Sequence, residues 1–196
     1  MKTKPFSAKR RSLLLTGAAT LAVPRFANSA AGDYGIEGLI APELEVHQWI
    51  DGQGNPGSFS LAEQRGKFVL LECWQAWCPG CHSHGFPTLQ KVYGALQDSD
   101  YFIAVGIQTT FEGYASNTPD KMREMQKRYD LPISMGFDAG DPKTSRRPST
   151  MVNYRTGGTP WVVLISPQAR VLYNDFGMDG DSAVAYLKTE IGKIPG

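Results

Sequence analysis

The sequence lacks the features that mark fibrous, disordered or membrane-spanning proteins. It has no glycine period, heptad run or internal repeat, and its longest apolar run covers only residues 13–23. A bilayer span needs about 20 apolar residues. The chain has no large excess of charge of one sign, since it contains 20 Lys and Arg and 19 Asp and Glu. The basic residues do not form the extended patch that nucleic-acid binding requires. With 196 residues, of which 41% are hydrophobic, the chain is expected to form one globular domain.

The first 31 residues differ in charge from the rest of the chain. They hold six basic and no acidic residues, so residues 32–196 keep 14 basic against 19 acidic residues, a net charge of −5. A cationic start, an apolar run and small residues at 27–31 are typical of an export signal. Residues 9–14 (KRRSLL) resemble a twin-arginine signal, which directs export after folding. We expect a signal peptide at 1–31, a mature domain at 32–196 and no stable membrane anchor.

The mature chain alternates strand and helix patterns. Residues 32–66 form a polar lead-in with a hairpin around 51–55, and residues 68–74 are nearly all apolar, as in a strand buried on both faces. Further strands are predicted at 101–108, 131–137, 161–165 and 170–173, with helices from 81 to 97, 119 to 129 and 181 to 191 and an irregular loop at 138–149. The pattern predicts an α/β fold with a buried central sheet.

Two of the three cysteines lie where the buried strand gives way to a helix. In the segment Cys78-Pro79-Gly80-Cys81, the first cysteine is expected at the helix N-terminus, where backbone N–H groups and the helix dipole favour a thiolate. Cys81, one turn further on, is expected to be less exposed. We therefore predict a redox pair in which Cys78 attacks and Cys81 resolves the mixed disulfide.

Other chemistries fit the same two cysteines. Cys78, Cys81 and His82 satisfy the haem c attachment pattern, with His82 as the axial ligand. A zinc site would need four ligands, and His82 and His84 are too close in sequence to complete a tetrahedron comfortably. A purely structural disulfide would restrain only a short loop. These alternatives are less favoured than redox exchange, and no metal or cofactor is expected.

The segment from Glu72 to Cys81 resembles the active site of the thioredoxin superfamily. Residues 66–71 before it and 157–164 after it are similar to the exported TlpA/ResA branch, also described as redoxin or AhpC/TSA-like, and the resemblance covers most of residues 38–196. It implies a thioredoxin-like fold, a central mixed β-sheet flanked by helices, here with an N-terminal β extension. It also implies a thiol:disulfide oxidoreductase.

The resemblance assigns roles to several further residues. Thr159-Pro160 corresponds to the cis-proline element that faces the cysteines, with Thr159 offering backbone pairing to an extended substrate. Glu72 falls on the position of a buried acid beneath the second cysteine, where it would take the proton of Cys81. Trp74 and Trp77 are expected to wall the site, and Pro79 and Gly80 to contact substrate.

The sequence also departs from the family pattern. The dipeptide between the cysteines is Pro-Gly where thioredoxin has Gly-Pro, which leaves the direction of electron flow open. Pro87 follows Cys81 by six residues instead of five, so Gly85 is interpreted as an insertion that bends the first helix. His82 and His84 replace the usual charged residues and are interpreted as exposed. Cys73, pointing away from Glu72, is interpreted as a buried apolar filler.

The expected partners are exported proteins with cysteines and a soluble or membrane thiol that supplies electrons, in the periplasm. A thiol peroxidase is the weaker enzyme alternative, because the Pro-x-x-x-Thr-x-x-Cys context of such enzymes is absent. Arg146, Arg147 and Arg155 are interpreted as part of a solvated surface in preference to a steering site for an acidic partner.

Overall fold

The computed structural model describes residues 34–195. The predicted signal peptide at 1–31 lies outside the described residues and stays a prediction. Within residues 34–195, none of the helices has the length and apolar character needed to cross a bilayer.

A seven-stranded mixed sheet forms the centre of the domain. Its strands are β1 (Gln48–Ile50), β2 (Pro56–Gly57), β3 (Phe68–Trp74), β4 (Phe102–Thr110), β5 (Ser134–Ala139), β6 (Trp161–Ile165) and β7 (Val171–Phe176). Their spatial order is β2-β1-β5-β4-β3-β6-β7, with β3, β4 and β5 parallel and the other pairs antiparallel. The predicted thioredoxin-like fold and its N-terminal β extension are confirmed.

Helices flank this sheet. They are a 3-10 turn (Ala62–Gln64), a π-helical turn (Cys81–Gly85), α1 (Phe86–Leu96), α2 (Pro119–Arg128), α3 (Ser149–Asn153) and α4 (Gly180–Ile191). α2 begins where the Thr118 side chain accepts a hydrogen bond from the Lys121 N–H. α4 begins where the Asp179 side chain accepts a hydrogen bond from the Ser182 N–H. These side-chain caps explain why the predicted starts of both helices lie close to the observed ones.

The region after α2 differs from its prediction. The strand expected at 131–137 runs from Ser134 to Ala139, because the Leu131 N–H still bonds the Gln126 carbonyl at the end of α2. The loop expected at 138–149 contains the end of β5 and the start of α3. Asp138 accounts for this start, since its carboxylate accepts hydrogen bonds from the N–H groups of Ser149 (3.1 Å) and Thr150 (2.7 Å).

The alternation of β3 separates two apolar cores. Leu70 and Trp74 pack with Cys78 and Cys81 on one face, whereas Leu71 and Cys73 pack on the other. Because successive strand residues point to opposite faces, Glu72 lies on the face that carries the cysteine pair.

The topology brings four loops to one edge of the sheet. β3, β4 and β5 are parallel and end at this edge, and the antiparallel β6 begins there. The loops at 75–80, 111–118, 140–148 and 154–160 therefore meet in space. Loops at the carboxyl ends of parallel strands are the usual location of binding sites in such sheets.

Candidate functional site

Cys78 and Cys81 lie together at the mouth of the helical segment that follows β3, and both are free thiols. The Cys81 backbone N–H donates a hydrogen bond to the Cys78 sulfur at 3.2 Å. Cys78 keeps 5% of its surface exposed and Cys81 keeps none. This is the expected order of exposure, and the Cys81 N–H gives the Cys78 sulfur a hydrogen-bond donor.

Cys81 is held in its protonated form by its surroundings. Burial is the main cause that raises the pKa of the Cys81 thiol, and its contact with the Cys78 sulfur raises it further. A thiol of this kind reacts only when another group removes its proton. The pair is therefore asymmetric, with a slightly exposed sulfur at the mouth and a buried, protonated thiol behind it.

Glu72 is the carboxyl group beneath this pair. It is 1% exposed in the central strand, and its Oε1 has no hydrogen-bond partner. Burial is the main cause that raises the pKa of Glu72 well above its usual range, and the electrostatic effect of nearby Cys78 adds to it. A buried carboxyl group with a free oxygen atom can exchange a proton with a neighbouring thiol.

The loop before β6 closes the site from the other side. The Thr159–Pro160 peptide bond is cis, as the resemblance implied. The Thr159 carbonyl oxygen lies 3.5 Å from the Cys78 sulfur and accepts a weak hydrogen bond from the thiol. Thr159 is half-buried, and its backbone borders the Cys78 sulfur.

The helix after the cysteines begins with a π-helical turn. The Phe86 N–H bonds the Cys81 carbonyl, five residues back, and α1 continues from Phe86 with Pro87 in its first turn. A π turn is what one inserted residue produces in an α-helix. The predicted irregularity at Gly85 therefore takes the form of this turn.

Gly85 allows the turn to approach the buried acid. A Cβ atom added at Gly85 would overlap the Glu72 Oε1 atom and lie 2.9 Å from the Cβ atom of Pro160. The backbone of the π turn thus packs between the proposed proton acceptor and the cis-proline, and only a residue without a side chain fits there.

Gly85→Ala is expected to lower the free energy of unfolding by about 1–3 kcal/mol, because the added methyl group overpacks a buried site. Urea denaturation monitored by tryptophan fluorescence measures this. Gly94→Ala is the matched control: Gly94 lies in α1 with no atom within 4 Å of its Cβ position, so the change should stabilise by about 0.5–1 kcal/mol. Equal stability of the two variants would contradict the packing assigned to Gly85.

His82 is not the exposed histidine that we predicted. Its Nε2 atom lies 2.7 Å from the Ala76 carbonyl and its Nδ1 atom 2.6 Å from the Tyr129 hydroxyl. A carbonyl only accepts, so Nε2 carries the proton, and Nδ1 of the neutral ring accepts from Tyr129. His82 thereby joins the active-site loop to the end of α2, whereas His84 is exposed as expected.

Asn117 is a buried residue of the site that the sequence did not single out. Its Oδ1 accepts a hydrogen bond from the Ala76 N–H at 2.7 Å, and its Nδ2 donates to Gln75 Oε1 and to the Gly113 carbonyl. These bonds tie the loop before Cys78 to the loop after β4. The only sequence signal was its position before the capping Thr118, which suggests a helix start.

The remaining predicted residues divide between core and surface. Trp74 is fully buried and packs against Phe86, with ring centroids 5.0 Å apart and ring planes tilted by 56°, so it supports the site from below. Trp77 is 44% exposed beside Cys78, and Pro79 is exposed next to it. Gly80 and Pro160 border a groove of about 690 Å³ that runs between the start of α1 and the loop after β7.

Cys73 is enclosed on the opposite face of β3. It is fully buried in the second core, and burial raises the pKa of its thiol. This supports its interpretation as an apolar filler.

Metal and haem sites were the alternative uses of these side chains. In residues 34–195, no three His, Cys, Asp or Glu side chains are grouped so that they could hold a metal ion. Both ring nitrogens of His82 are engaged in hydrogen bonds, so axial ligation of a haem would require one of these bonds to break.

A seven-stranded thioredoxin-like sheet with two cysteines at a helix mouth and a cis-proline loop facing them defines a protein of the thioredoxin superfamily. The AhpC/TSA family profile matches residues 38–174, and the chain belongs to this family. A search of curated protein sequences finds no match.

Solved structures agree with this assignment. The chain is 31% identical to a thioredoxin-like superfamily protein, with a TM-score of 0.69 over 80% of this chain and 99% of that one. It is 29% identical to a thiol-disulfide isomerase from Corynebacterium glutamicum, with a TM-score of 0.66 over 79% and 98% of the two chains. The thioredoxin domain of a thiol-disulfide oxidoreductase from Bacteroides vulgatus shares the fold at 24% identity, with a TM-score of 0.56 over 80% and 98%. The chain is therefore homologous to thiol-disulfide oxidoreductases, and oxidoreductase is its enzyme class.

Proposed function

We propose that the protein exchanges disulfides with cysteine-containing exported proteins through Cys78 and Cys81. The observation that carries this proposal is the hydrogen bond from the Cys81 N–H to the Cys78 sulfur, at a site where Cys81 itself is buried and protonated. With this asymmetry Cys78 attacks in the first step and Cys81 in the second, as a two-step exchange requires.

The exchange proceeds through a mixed disulfide. In the reducing direction, the Cys78 thiolate attacks one sulfur of a client disulfide, the client S–S bond breaks, and the other client sulfur leaves as a thiolate that takes up a proton. The Cys81 thiolate then attacks the Cys78 sulfur and releases the second client thiol. Two electrons pass to the client, and Cys78 and Cys81 end as a disulfide. The oxidising direction is the reverse.

We assign the proton transfer at Cys81 to Glu72. The carboxyl group is buried on the same face of β3 as the cysteine pair and has an unpaired oxygen. Burial raises the pKa of Glu72, which makes its carboxylate a stronger base; the ionised form takes the proton of Cys81 when that thiol becomes a nucleophile, and the neutral acid returns it afterwards.

Client binding is assigned to the surface around Cys78. The exposed Trp77 and Pro79 lie on one side of the sulfur, and the backbone of Thr159 lies on the other. An extended client segment that pairs with Thr159 would place its cysteine over Cys78. The groove beside Gly80 and Pro160 provides further contact surface.

We propose that the protein acts in the periplasm. The signal-like residues 1–31 support export, and oxidising compartments are where protein disulfides persist. The electron donor would be a soluble or membrane thiol protein.

A thiol peroxidase is the alternative that family membership raises. The residues three and seven positions before Cys78 are Gln75 and Leu71, where the peroxidase context has Thr and Pro. The arrangement therefore favours exchange between proteins over reduction of peroxides.

The reduced protein is expected to reduce a disulfide-bonded peptide stoichiometrically, with Cys78 and Cys81 becoming protected from alkylation as the peptide thiols appear. Quenched-flow alkylation followed by mass spectrometry measures both. Titration against glutathione then gives the reduction potential and the direction of exchange. A Soret band in the purified protein, or turnover of hydrogen peroxide faster than of the peptide, would overturn the proposal.

A further inference from the structure

A second cleft, of about 380 Å³, opens beside the cis-proline loop on the side away from α1. It lies at the sheet edge where β4 and β5 end. The wall residues that matter here are Phe111, Tyr114, Asp141, Arg146, Arg147 and Gly157. This cleft shares no lining residue with the groove beside Gly80.

The cleft is basic in a domain that is otherwise acidic. Residues 32–196 have a net charge of −5, yet the stretch 143–155 holds four of their 14 basic residues and no acidic one. Two of the four, Arg146 and Arg147, line the cleft and are exposed. Their convergence on one cleft is a result of the tertiary structure.

The two guanidinium groups retain donors for a ligand. Arg146 donates one hydrogen bond to the Ala139 carbonyl at 3.1 Å, and Arg147 makes one weak contact with the Met151 sulfur at 3.9 Å. Neither takes part in the ion pairs found within residues 34–195. The acidic group on the cleft wall is Asp141, whose carboxylate accepts a hydrogen bond from the Lys143 N–H. Two cations therefore face one anion, and a guanidinium has five N–H donors.

The cleft lies next to the path of a bound client. Gly157 precedes Thr159 by two residues, a distance of at most about 7 Å along the chain, and the Thr159 carbonyl lies 3.5 Å from the Cys78 sulfur. On the other wall, the loop after β4 contacts Trp77, since a Cβ atom on Gly113 would lie 2.6 Å from the indole nitrogen. An extended segment bound along the cis-proline loop therefore enters this cleft within a few residues of its cysteine.

We propose that this cleft binds an acidic segment of the client protein, a few residues from the client cysteine, with Arg146 and Arg147 pairing its carboxylates. This inference rests on the proposed disulfide exchange and specifies the class of client. Arginine forks match carboxylates in bidentate geometry, and the rings of Phe111 and Tyr114 provide a surface for the client backbone. Attraction between opposite charges would raise the rate of encounter as well as the affinity.

The test compares two peptides of equal length, each with one internal disulfide. One carries Asp and Glu beside its cysteine and the other carries Asn and Gln at the same positions. The full chain is expected to reduce the acidic peptide about 10-fold faster at low ionic strength, and 0.5 M salt should remove the difference. In the double variant R146Q/R147Q the ratio of the reduction rates of the acidic and neutral peptides should fall to about 1. The rate with the neutral peptide should stay unchanged.

The matched control is R65Q/K67Q, which removes two charges at the opposite edge of the sheet. Arg65, like Arg146, donates one hydrogen bond to a backbone carbonyl. A preference that survives in R146Q/R147Q, or that falls as much in R65Q/K67Q, overturns the inference.

A binding measurement separates this inference from the proposed function. A fluorescent peptide with the acidic sequence but Ser for each Cys should bind the wild type about 10-fold more tightly than R146Q/R147Q, as measured by anisotropy. Binding without exchange would support the cleft and contradict the exchange proposal. Exchange with equal binding of acidic and neutral peptides would contradict the cleft alone.

Discussion

Replacing Cys81 by Ser is expected to leave the protein covalently joined to a disulfide-bonded peptide through Cys78. The serine cannot attack the mixed disulfide, so the first step occurs and the second does not. Cys78→Ser should lower the rate of peptide reduction by about 1,000-fold or more, because it removes the nucleophile itself. Non-reducing electrophoresis and mass spectrometry of the adduct measure both outcomes.

The third cysteine provides the control for this experiment. Cys73 is fully buried on the opposite face of β3. Cys73→Ala should leave the rate of exchange unchanged. It should lower the free energy of unfolding by about 1–2 kcal/mol, because the smaller side chain leaves a small cavity in the core. An adduct on Cys73, or a Cys81→Ser variant that still completes turnover, would show that the roles of the cysteines are assigned wrongly.

Glu72→Gln is expected to slow the resolution step by about 100-fold while leaving the first attack nearly unchanged. The amide has the shape of the carboxyl group but cannot accept the proton of Cys81, and loss of a general base costs about 100-fold or more. Rapid-mixing measurements of mixed-disulfide formation and decay separate the two steps. Equal slowing of the formation and the decay of the mixed disulfide would contradict the proton-transfer role of Glu72.

The same variant should change how stability depends on pH. The folded-state pKa of Glu72 is raised above the ordinary 4.5 by burial. Below pH 4.5 the carboxyl group is protonated in both states; between pH 4.5 and the raised folded-state pKa, the unfolded chain ionises while the folded protein keeps its proton. Wild-type stability therefore falls, relative to Glu72→Gln, by up to about 1.4 kcal/mol per pH unit.

Urea denaturation of the reduced proteins between pH 4 and 7 measures this difference. Glu63→Gln is the control, because Glu63 is exposed on the 3-10 turn before β3 and its removal should leave the pH dependence of the wild type unchanged. A constant difference between Glu72→Gln and the wild type across this range would mean that Glu72 is charged in the folded protein.

The predictions held best where local sequence determines local structure. The strand at 68–74 was predicted with its observed ends, because a continuous apolar run is required of a strand buried on both faces. The late position of Pro87 predicted a local irregularity at Gly85, and the structure resolves it as a π turn. The asymmetry of Cys78 and Cys81 followed from their order at a helix start.

The predictions were wrong where a residue's partner is distant in the sequence. His82 was expected to be exposed because histidines on helices commonly are, yet it forms a hydrogen bond with Tyr129, 47 residues away. The start of α3 lay inside a predicted loop because Asp138, which caps it, is 11 residues earlier. Asn117 likewise joins Gln75, 42 residues earlier. Periodicity within a short window contains no information about such pairs.

The sequence by itself determined the candidate chemical groups: two cysteines at a strand-to-helix junction, an acid six residues before the first of them, and a proline preceded by threonine. Only the tertiary structure decided what surrounds that chemistry. Three parallel strands end where the antiparallel β6 begins, so four loops from distant parts of the chain share one edge of the sheet. This arrangement buries Glu72 beneath the cysteines and places Arg146 and Arg147 in a cleft near the Cys78 sulfur. The burial of a side chain and its distance from other charges depend on residues that are far away in the sequence, so the order of residues along the chain does not reveal them.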